Sequence, residues 1–383
     1  MKKINTNTCV QVMYIIILAL NIFSRSMFSL GNYIGVVEKI SFVLSIIMLL
    51  MTVVYSTFSI KFIILMLLGI IVSILSQSIE CATMLLILFS LTNVSLNKTI
   101  KYSVVAIVIC LMIIIISNKL GIIPTIIGIR YNKIRYSFGM QFPLVLSAYI
   151  LYLSSLITIL FHKRHPYFLI MGLIITTIIL DVFVNARNDE LCILGLALVV
   201  LVNKVSKSII KYVNIGALYL VAGLVLLSMN ITNMVSYTSN LYYYFNYLFS
   251  GRLNLQYMLF ADYHPKLIGQ YIPQRGLGGL VFQNVANYFY IDNSYLRFLF
   301  MDGIIFFGFI IYIFFSQVIL LEKNDLYVYS LILLIILVNG ITSDTLSTIT
   351  QNIIILPLFF RKIEDYKNID LSLNKKGITY ESY

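Results

Sequence analysis

The chain has 383 residues, 60% of them hydrophobic and 11% charged, with a formal net charge of +12. An ordinary soluble domain carries about 25% charged residues, so this composition excludes a soluble globular fold and makes lipid the solvent for most of the chain. The excess of basic residues sits in short breaks between apolar runs, which argues against a nucleic-acid partner.

The runs are rich in Ile and Leu and unbroken, whereas barrel strands would show about 10 residues of alternating hydrophobicity. The expected fold class is therefore an all-α polytopic integral membrane protein with about 12 transmembrane helices. In chain order the expected spans lie near residues 9–23, 40–57, 62–79, 81–96, 102–118, 142–161, 167–184, 188–203, 212–229, 296–321, 326–342 and 345–360. No small-residue cleavage site follows the run from Val10 to Phe23, so it reads as the first anchor rather than a signal peptide. Cys9, Cys81, Cys110 and Cys192 stand singly in apolar segments and read as small buried hydrophobes; neither a disulfide framework nor a metal site is expected.

With Lys2 and Lys3 inside, alternate loops carry Lys61, then Lys98 and Lys101, Lys163 and Arg164, Lys204 with Lys207 and Lys211, Lys323, and Arg361 with Lys362. This obeys the positive-inside rule at each cytoplasmic turn and predicts both termini in the cytoplasm. The polar tail, 362–383, is expected to be poorly ordered. The two longest connections, 119–141 and 230–295, fall outside, and function is expected there because the cytoplasmic turns are too short to build a site.

The outer face is more basic than orientation requires, and its charges are mainly arginines: Arg25, Arg130, Arg135, Arg187, Arg252, Arg275 and Arg297. Arginine suits forked recognition of phosphate or carboxylate. For Arg25 and Arg297 the expected role is plainer, a headgroup contact or a snorkelling side chain.

Two places put polar groups at membrane depth. After Asn185, Ala186, Arg187, Asn188, Asp189 and Glu190 only Leu191 to Val202 is clearly apolar, which reaches about 18 Å of a roughly 30 Å core. Arg187 is thus either in a site or locally paired with Asp189 or Glu190, with Asp181 able to orient it. The second place is the polar crowd from Asn339 to Asn352. It reads as the top of a short hairpin, a cavity lining, or a set of interhelical hydrogen bonds.

Residues 237–263 are expected to form an amphipathic helix lying in the interface. Its tyrosines, Tyr243 and Tyr247 among them, fit an interfacial belt and also offer platforms for sugar rings. His264 and Pro265 end it, and Arg275 with Gly276 to Gly279 forms a flexible basic turn. Asp292, ahead of the next span, is placed either to take a proton from a bound hydroxyl or to cap that helix, and capping is the commoner role.

The arrangement resembles the Wzy-type polysaccharide polymerases, which join lipid-linked repeat units of O-antigen, capsule or exopolysaccharide. The resemblance is carried by the span count and late large loop, by Arg135-Tyr136-Ser137-Phe138-Gly139 before a span, and by Arg187 after one. The Ser250-Gly251-Arg252 triplet, the Gly276 to Gly279 turn, and Asp292-Asn293-Ser294-Tyr295-Leu296 followed by Gly303 complete it. It implies a glycosyltransferase at the outer face of a bacterial cytoplasmic membrane, acting on undecaprenyl-diphosphate-linked oligosaccharide as donor and acceptor, with polyprenyl diphosphate leaving. It implies no cofactor and no metal. On this resemblance Arg187, Arg252, Arg275 and Arg135 bind diphosphate, Asp292, Asp262 or His264 takes the acceptor proton, and Tyr243, Tyr247, Tyr295 and Asn293 contact sugar. A chain-length regulator and a flippase are the protein partners it suggests. A lipid-linked oligosaccharide flippase is the rival from another class, although the two halves show no evident repeat. An O-antigen ligase would usually carry His before Asn where this chain has Asp292.

Overall fold

The computed structural model of the protein describes residues 6–29, 33–53, 60–130, 133–275 and 288–375. Lys2, Lys3, the Gly276 to Gly279 turn and the last eight residues lie outside these. The described residues are overwhelmingly helical, and the protein is an all-α, multi-pass membrane protein. Among the described residues seven helices are long and apolar enough to cross a bilayer: α1 (Thr6–Ser24), α2 (Ile34–Val53), α5 (Leu96–Lys119), α6 (Pro143–Phe161), α7 (Pro166–Phe183), α9 (Lys207–Met234) and α13 (Ile304–Lys323). Between them lie α3 (Ile60–Leu75), α4 (Glu80–Ser90), α8 (Arg187–Val205), α10 (Asn240–Leu248) and α11 (Arg252–Asp262). The chain closes with α12 (Ser294–Arg297), α14 (Tyr327–Asn339), α15 (Ile349–Asn352), α16 (Leu356–Phe359) and α17 (Ile363–Lys375).

Burial sorts these helices into layers. In α6, 72% of the apolar stretch is buried inside the protein, against 22% in α7 and α9, so α6 is a hub and the other two present most of their surface to lipid. The 11-residue α4 is buried along nearly its whole length. At 1.5 Å per residue it covers only about 16 Å, and other helices rather than lipid surround it. The 13-residue α14 is equally enclosed.

Small and hydroxyl residues set the close approaches. On α2 only Ser41, Ser45, Met48 and Thr52 are buried, a helical stripe that lets α1 come near, and Asn21 of α1 donates to the Ser41 hydroxyl at 3.0 Å. Close packing and interhelical hydrogen bonds of this kind replace the hydrophobic effect where the solvent is itself apolar.

Several sequence expectations need correction. The 119–141 connection holds a two-stranded antiparallel hairpin, β1 (Ile127–Arg130) with β2 (Lys133–Tyr136), in register Ile127 to Tyr136 and Arg130 to Lys133. Strands of four residues are too short to leave a usable alternation. The single helix expected over 237–263 is two, because Ser250 (φ 59°) and Gly251 (φ 85°) both take left-handed backbone and end the α10 helix before α11 begins. The stretch 345–360 is also no continuous helix. The hydroxyls of Ser347 and Thr348 bond back to the Asp344 carbonyl at 2.9 and 3.1 Å, and only the single turns α15 and α16 form. Local side-chain bonds compete with the helical ladder in this way.

The tail, expected to be poorly ordered, contains α17. Its buried face carries Tyr366 and Ile369, the Tyr366 hydroxyl donates to the Leu358 carbonyl, and Lys163 reaches Asp370 at 2.6 Å while the Tyr329 hydroxyl donates to the same carboxylate at 2.6 Å. Polarity hides this helix because its apolar face is only one stripe wide. Tyr366→Ala removes a fully buried ring, a loss of about 3–5 kcal/mol of packing. It is expected to make the segment after Arg361 cleavable in limited proteolysis of the solubilised protein; cleavage unchanged from wild type would mean that α17 is not held by this face.

Candidate functional site

Site geometry starts at the break between α10 and α11. The left-handed Gly251 is the N-cap of α11, which puts Arg252 at the first helical position, aimed across a gap at the segment that leads into α12. Asp292 meets it there, its Oδ2 3.2 Å from the Arg252 Nε, each side chain about a quarter exposed. Asp292 is not the helix cap. Asn293 is, its side-chain oxygen accepting from the Tyr295 and Leu296 backbone N–H groups at 2.9 and 3.2 Å. The capping role left to the neighbouring residue frees Asp292 to face Arg252.

This pair lies on the wall of a cavity of ≈ 220 Å³ lined by α9, α11, the Tyr290–Leu296 segment and the ends of α8 and α14. Leu224, Leu227, Ile231, Leu253 and Leu259 supply much of its apolar lining, and Arg252, Asp292, Asn293, Gln256, Ser228 and Asn188 its polar groups. Polar contacts tie these groups together: Asn293 donates to the Ser228 hydroxyl at 3.3 Å and Gln256 to the Ser228 carbonyl at 2.8 Å. An apolar chamber with a few convergent polar groups is the usual form of a small-molecule site. Burial raises the Asp292 carboxyl above its ordinary range, Arg252 beside it acts in the opposite direction, and Asp344 adds to the rise.

The segment carrying Asp292 is fastened at both ends. Arg275 and Phe289 exchange backbone hydrogen bonds at 2.8 and 3.0 Å, and the Gln274 side chain accepts from the Ile291 N–H at 2.9 Å. At the other end the Ser294 N–H donates to the Gly340 and Ser343 carbonyls at 3.0 and 3.1 Å, and its hydroxyl to Ser343 at 2.6 Å. The polar crowd from Asn339 to Asn352 thus serves mainly as internal hydrogen bonding, with Thr342 alone among its hydroxyl residues on the cavity wall. Asn339 links this crowd to α8 by donating to the buried Asp189 at 2.6 Å, and Ser147 donates to the same carboxylate.

Of the residues singled out from sequence, Arg252, Asp292 and Asn293 come together at the cavity. Asp262, the last residue of α11, and His264 just after it are exposed, about 15 Å along the helix from Arg252. Arg275 is exposed in its backbone bridge. Arg187 is exposed at the first position of α8, and Arg135, from β2, donates to the Val184 carbonyl at 2.7 Å. Asp181, expected to orient Arg187, pairs with Lys133 at 3.3 Å on the surface instead. Glu190 accepts from the Ala186 N–H at 2.5 Å and so caps its own helix. Tyr243 and Tyr247 are exposed on α10, away from the cavity wall, whereas Tyr295 is fully buried and donates to the Leu337 carbonyl at 2.7 Å, which leaves it no face for a sugar.

The readings of Arg25 and Arg297 as headgroup or snorkelling side chains are overturned. Arg25 is buried, with its Nε donating to the Thr350 hydroxyl at 3.0 Å. Arg297, its side chain only 11% exposed, lies between Glu80 at 3.3 Å and Asp344 at 3.5 Å. Partners 47 to 325 residues away in the chain leave no local signal. The α9 leucines and Gln256 of the cavity also escape a sequence reading, because in one dimension they look like any lipid-facing or interfacial residues.

Comparison of the chain with models of known protein families, with curated proteins and with solved structures gives no match.

Proposed function

We propose that this protein is a membrane glycosyltransferase, a polymerase joining undecaprenyl-diphosphate-linked oligosaccharide repeat units into a surface polysaccharide. The observation that carries this reading is the Arg252–Asp292 pair set on the wall of a largely apolar cavity. A lipid diphosphate needs a greasy surface for its chain, a forked cation for its phosphates and, for group transfer, a proton acceptor within reach of that cation.

In the proposed reaction the diphosphate of the donor draws Arg252 away from Asp292. The acceptor hydroxyl oxygen then bonds to the anomeric carbon of the donor sugar as the bond from that carbon to the diphosphate oxygen breaks. The proton of the hydroxyl passes to Asp292, and the electron pair leaves on the diphosphate, where the guanidinium meets the growing charge. Stabilising charge where it develops does more for the rate than any other single effect open to such a site. Burial of Asp292 supports the base role by raising its proton affinity. Asn293, Gln256 and Asn188 offer hydrogen-bonding groups to sugar hydroxyls. Arg135, Arg187 and Arg275 are assigned to the approach of the anionic lipid rather than to the reacting bond.

The full reading includes twelve crossings, both termini in the cytoplasm, the cavity at the outer face of a bacterial cytoplasmic membrane, and a chain-length regulator and a flippase as neighbours. Orientation has a direct test. A cysteine in place of Tyr247, in a background without the four natural cysteines, is expected to react with an impermeant maleimide in intact cells, whereas one in place of Lys367 reacts only after permeabilisation. The opposite pattern would put the cavity on the cytoplasmic side and end the polymerase reading. The activity itself is tested by reconstituting the purified protein with labelled undecaprenyl-diphosphate-linked repeat units from its host. A ladder of products supports polymerase action, and unchanged monomer with label crossing the bilayer points to a flippase.

A further inference from the structure

Behind the Arg252–Asp292 pair stands a second charged group. Arg297 of α12 contacts Glu80 of α4 at 3.3 Å, Asp344 of the turn before α15 at 3.5 Å, and the Tyr290 hydroxyl at 3.4 Å, while that hydroxyl donates to Asp344. Tyr290 also lines the cavity, two residues before Asp292. An unbroken line of polar contacts therefore runs from the cavity wall through Tyr290, Asp344 and Arg297 to α4.

The charges facing this line come from several elements. Asp292 feels Arg252 of α11 and Asp344, and its own segment adds the Tyr288 hydroxyl. Arg297 faces Glu80, Asp344, Tyr290 and Asp302, the last from the π turn after α12, and Glu38 of α2 and Arg25 lie in the surrounding field. Carboxylates thus outnumber guanidiniums, and Asp344 is tied through the Tyr290 hydroxyl to the segment that carries Asp292. Neighbouring carboxylates cannot both stay ionised without a compensating cation.

We propose that Arg297 and Asp344 are positioning residues for Asp292: Arg297 cancels the charge of Asp344, so that Asp292 keeps Arg252 as its dominant neighbour and holds the carboxylate form that accepts a proton. Tyr290 fixes the geometry by tying the backbone of the Asp292 segment to Asp344. The inference rests on the general-base role of Asp292 given above, but the control of its charge can be measured without any reaction.

The test is pH-difference infrared spectroscopy on the purified protein in proteoliposomes, with the Asp292 carboxyl band identified by its loss in Asp292→Asn. Arg297→Gln leaves Asp344 uncompensated and is expected to move the Asp292 titration up by about one pH unit, the usual size of a like-charge effect at short range. Asp344→Asn removes the repulsion and is expected to move it down, while Arg297→Lys keeps the charge and leaves it near the wild-type position. The acid limb of polymer formation should follow the same order. Merely loosening the fold would lower activity in all three variants without shifting the titration in opposite directions. Unmoved bands, or bands moved the same way by Arg297→Gln and Asp344→Asn, overturn the inference even if polymer is made. Opposite shifts in a protein that makes no polymer uphold it and remove the polymerase reading alone. Should Arg297→Gln fail to fold, Asp344→Asn, which retains an acceptor for Tyr290, decides the matter.

Discussion

Arg252→Ala is expected to abolish the polymer ladder in the reconstituted system, with turnover down about 100- to 1,000-fold, the usual cost of removing one group aimed at developing charge. The loss should fall mainly on turnover rather than on apparent affinity, because the guanidinium meets the diphosphate most strongly as the bond to it breaks. Arg252→Lys should restore only a small part, since an ammonium supplies charge without the fork. A second consequence separates this assignment from a structural one. In the resting protein Arg252 already pairs with Asp292 at 3.2 Å, so Arg252→Ala leaves a half-buried carboxylate without its counter-charge and raises its proton affinity further. The double variant Arg252→Ala with Asp292→Asn should therefore regain thermal stability over Arg252→Ala alone while remaining inactive. Full-length polymer from Arg252→Ala would remove the diphosphate role, and with it the observation on which the functional reading stands.

Gly303→Ala is expected to yield little or no folded protein. Gly303 has φ 92° and sits against a second glycine: a Cβ there would lie 2.2 Å from the Gly269 backbone nitrogen and 2.8 Å from the Leu267 carbonyl oxygen. Backbone rather than flexible side chain occupies that space, so nothing cheap can move. The close approach exists because the 266–270 strip caps α13, with the Lys266 carbonyl accepting from the Ile304 N–H at 2.9 Å and the Leu267 carbonyl from Ile305 at 3.2 Å. Left-handed backbone and a backbone clash together exceed the ~1–3 kcal/mol cost of strain alone. The check is the monodisperse fraction in size-exclusion chromatography after detergent extraction. Gly308→Ala is the control, because nothing lies within 4 Å of the Cβ it would add, and normal recovery of Gly303→Ala would refute the close packing of these strips.

Much of the site is legible in the sequence at the level of residue type and little at the level of partnership. Arg252, Asp292 and Asn293 stand out there, as an arginine after a serine-glycine break and as a polar entrance to a span, and the structure brings those three together. What each does to the others is not legible. Asp292 reads in sequence as a cap, but Asn293 takes that role because an N-cap needs an oxygen one position nearer the first helical turn. Arg297 looks like an interfacial side chain because Glu80, its partner, belongs to another helix pair entirely. Asp181 looks like a partner for Arg187 because it lies six positions before it, yet the β2 strand delivers Lys133 to it first.

By itself the sequence determined the solvent, the element and the sites of interruption. A chain with 60% hydrophobic and 11% charged residues must bury its backbone polar groups within helices when lipid surrounds it, and only glycine, proline and clustered polar residues can break them. Tertiary structure decided which apolar helices face lipid and which are enclosed, since α4 and α9 have the same kind of residues and opposite surroundings. It also decided that leucines of α9 and α11 should line a cavity, and which arginine would meet which carboxylate. The physical reason is one of range. Hydropathy and backbone preference act over a few residues and are written locally, whereas an ion pair or a cavity wall needs groups up to hundreds of positions apart, which only packing brings together.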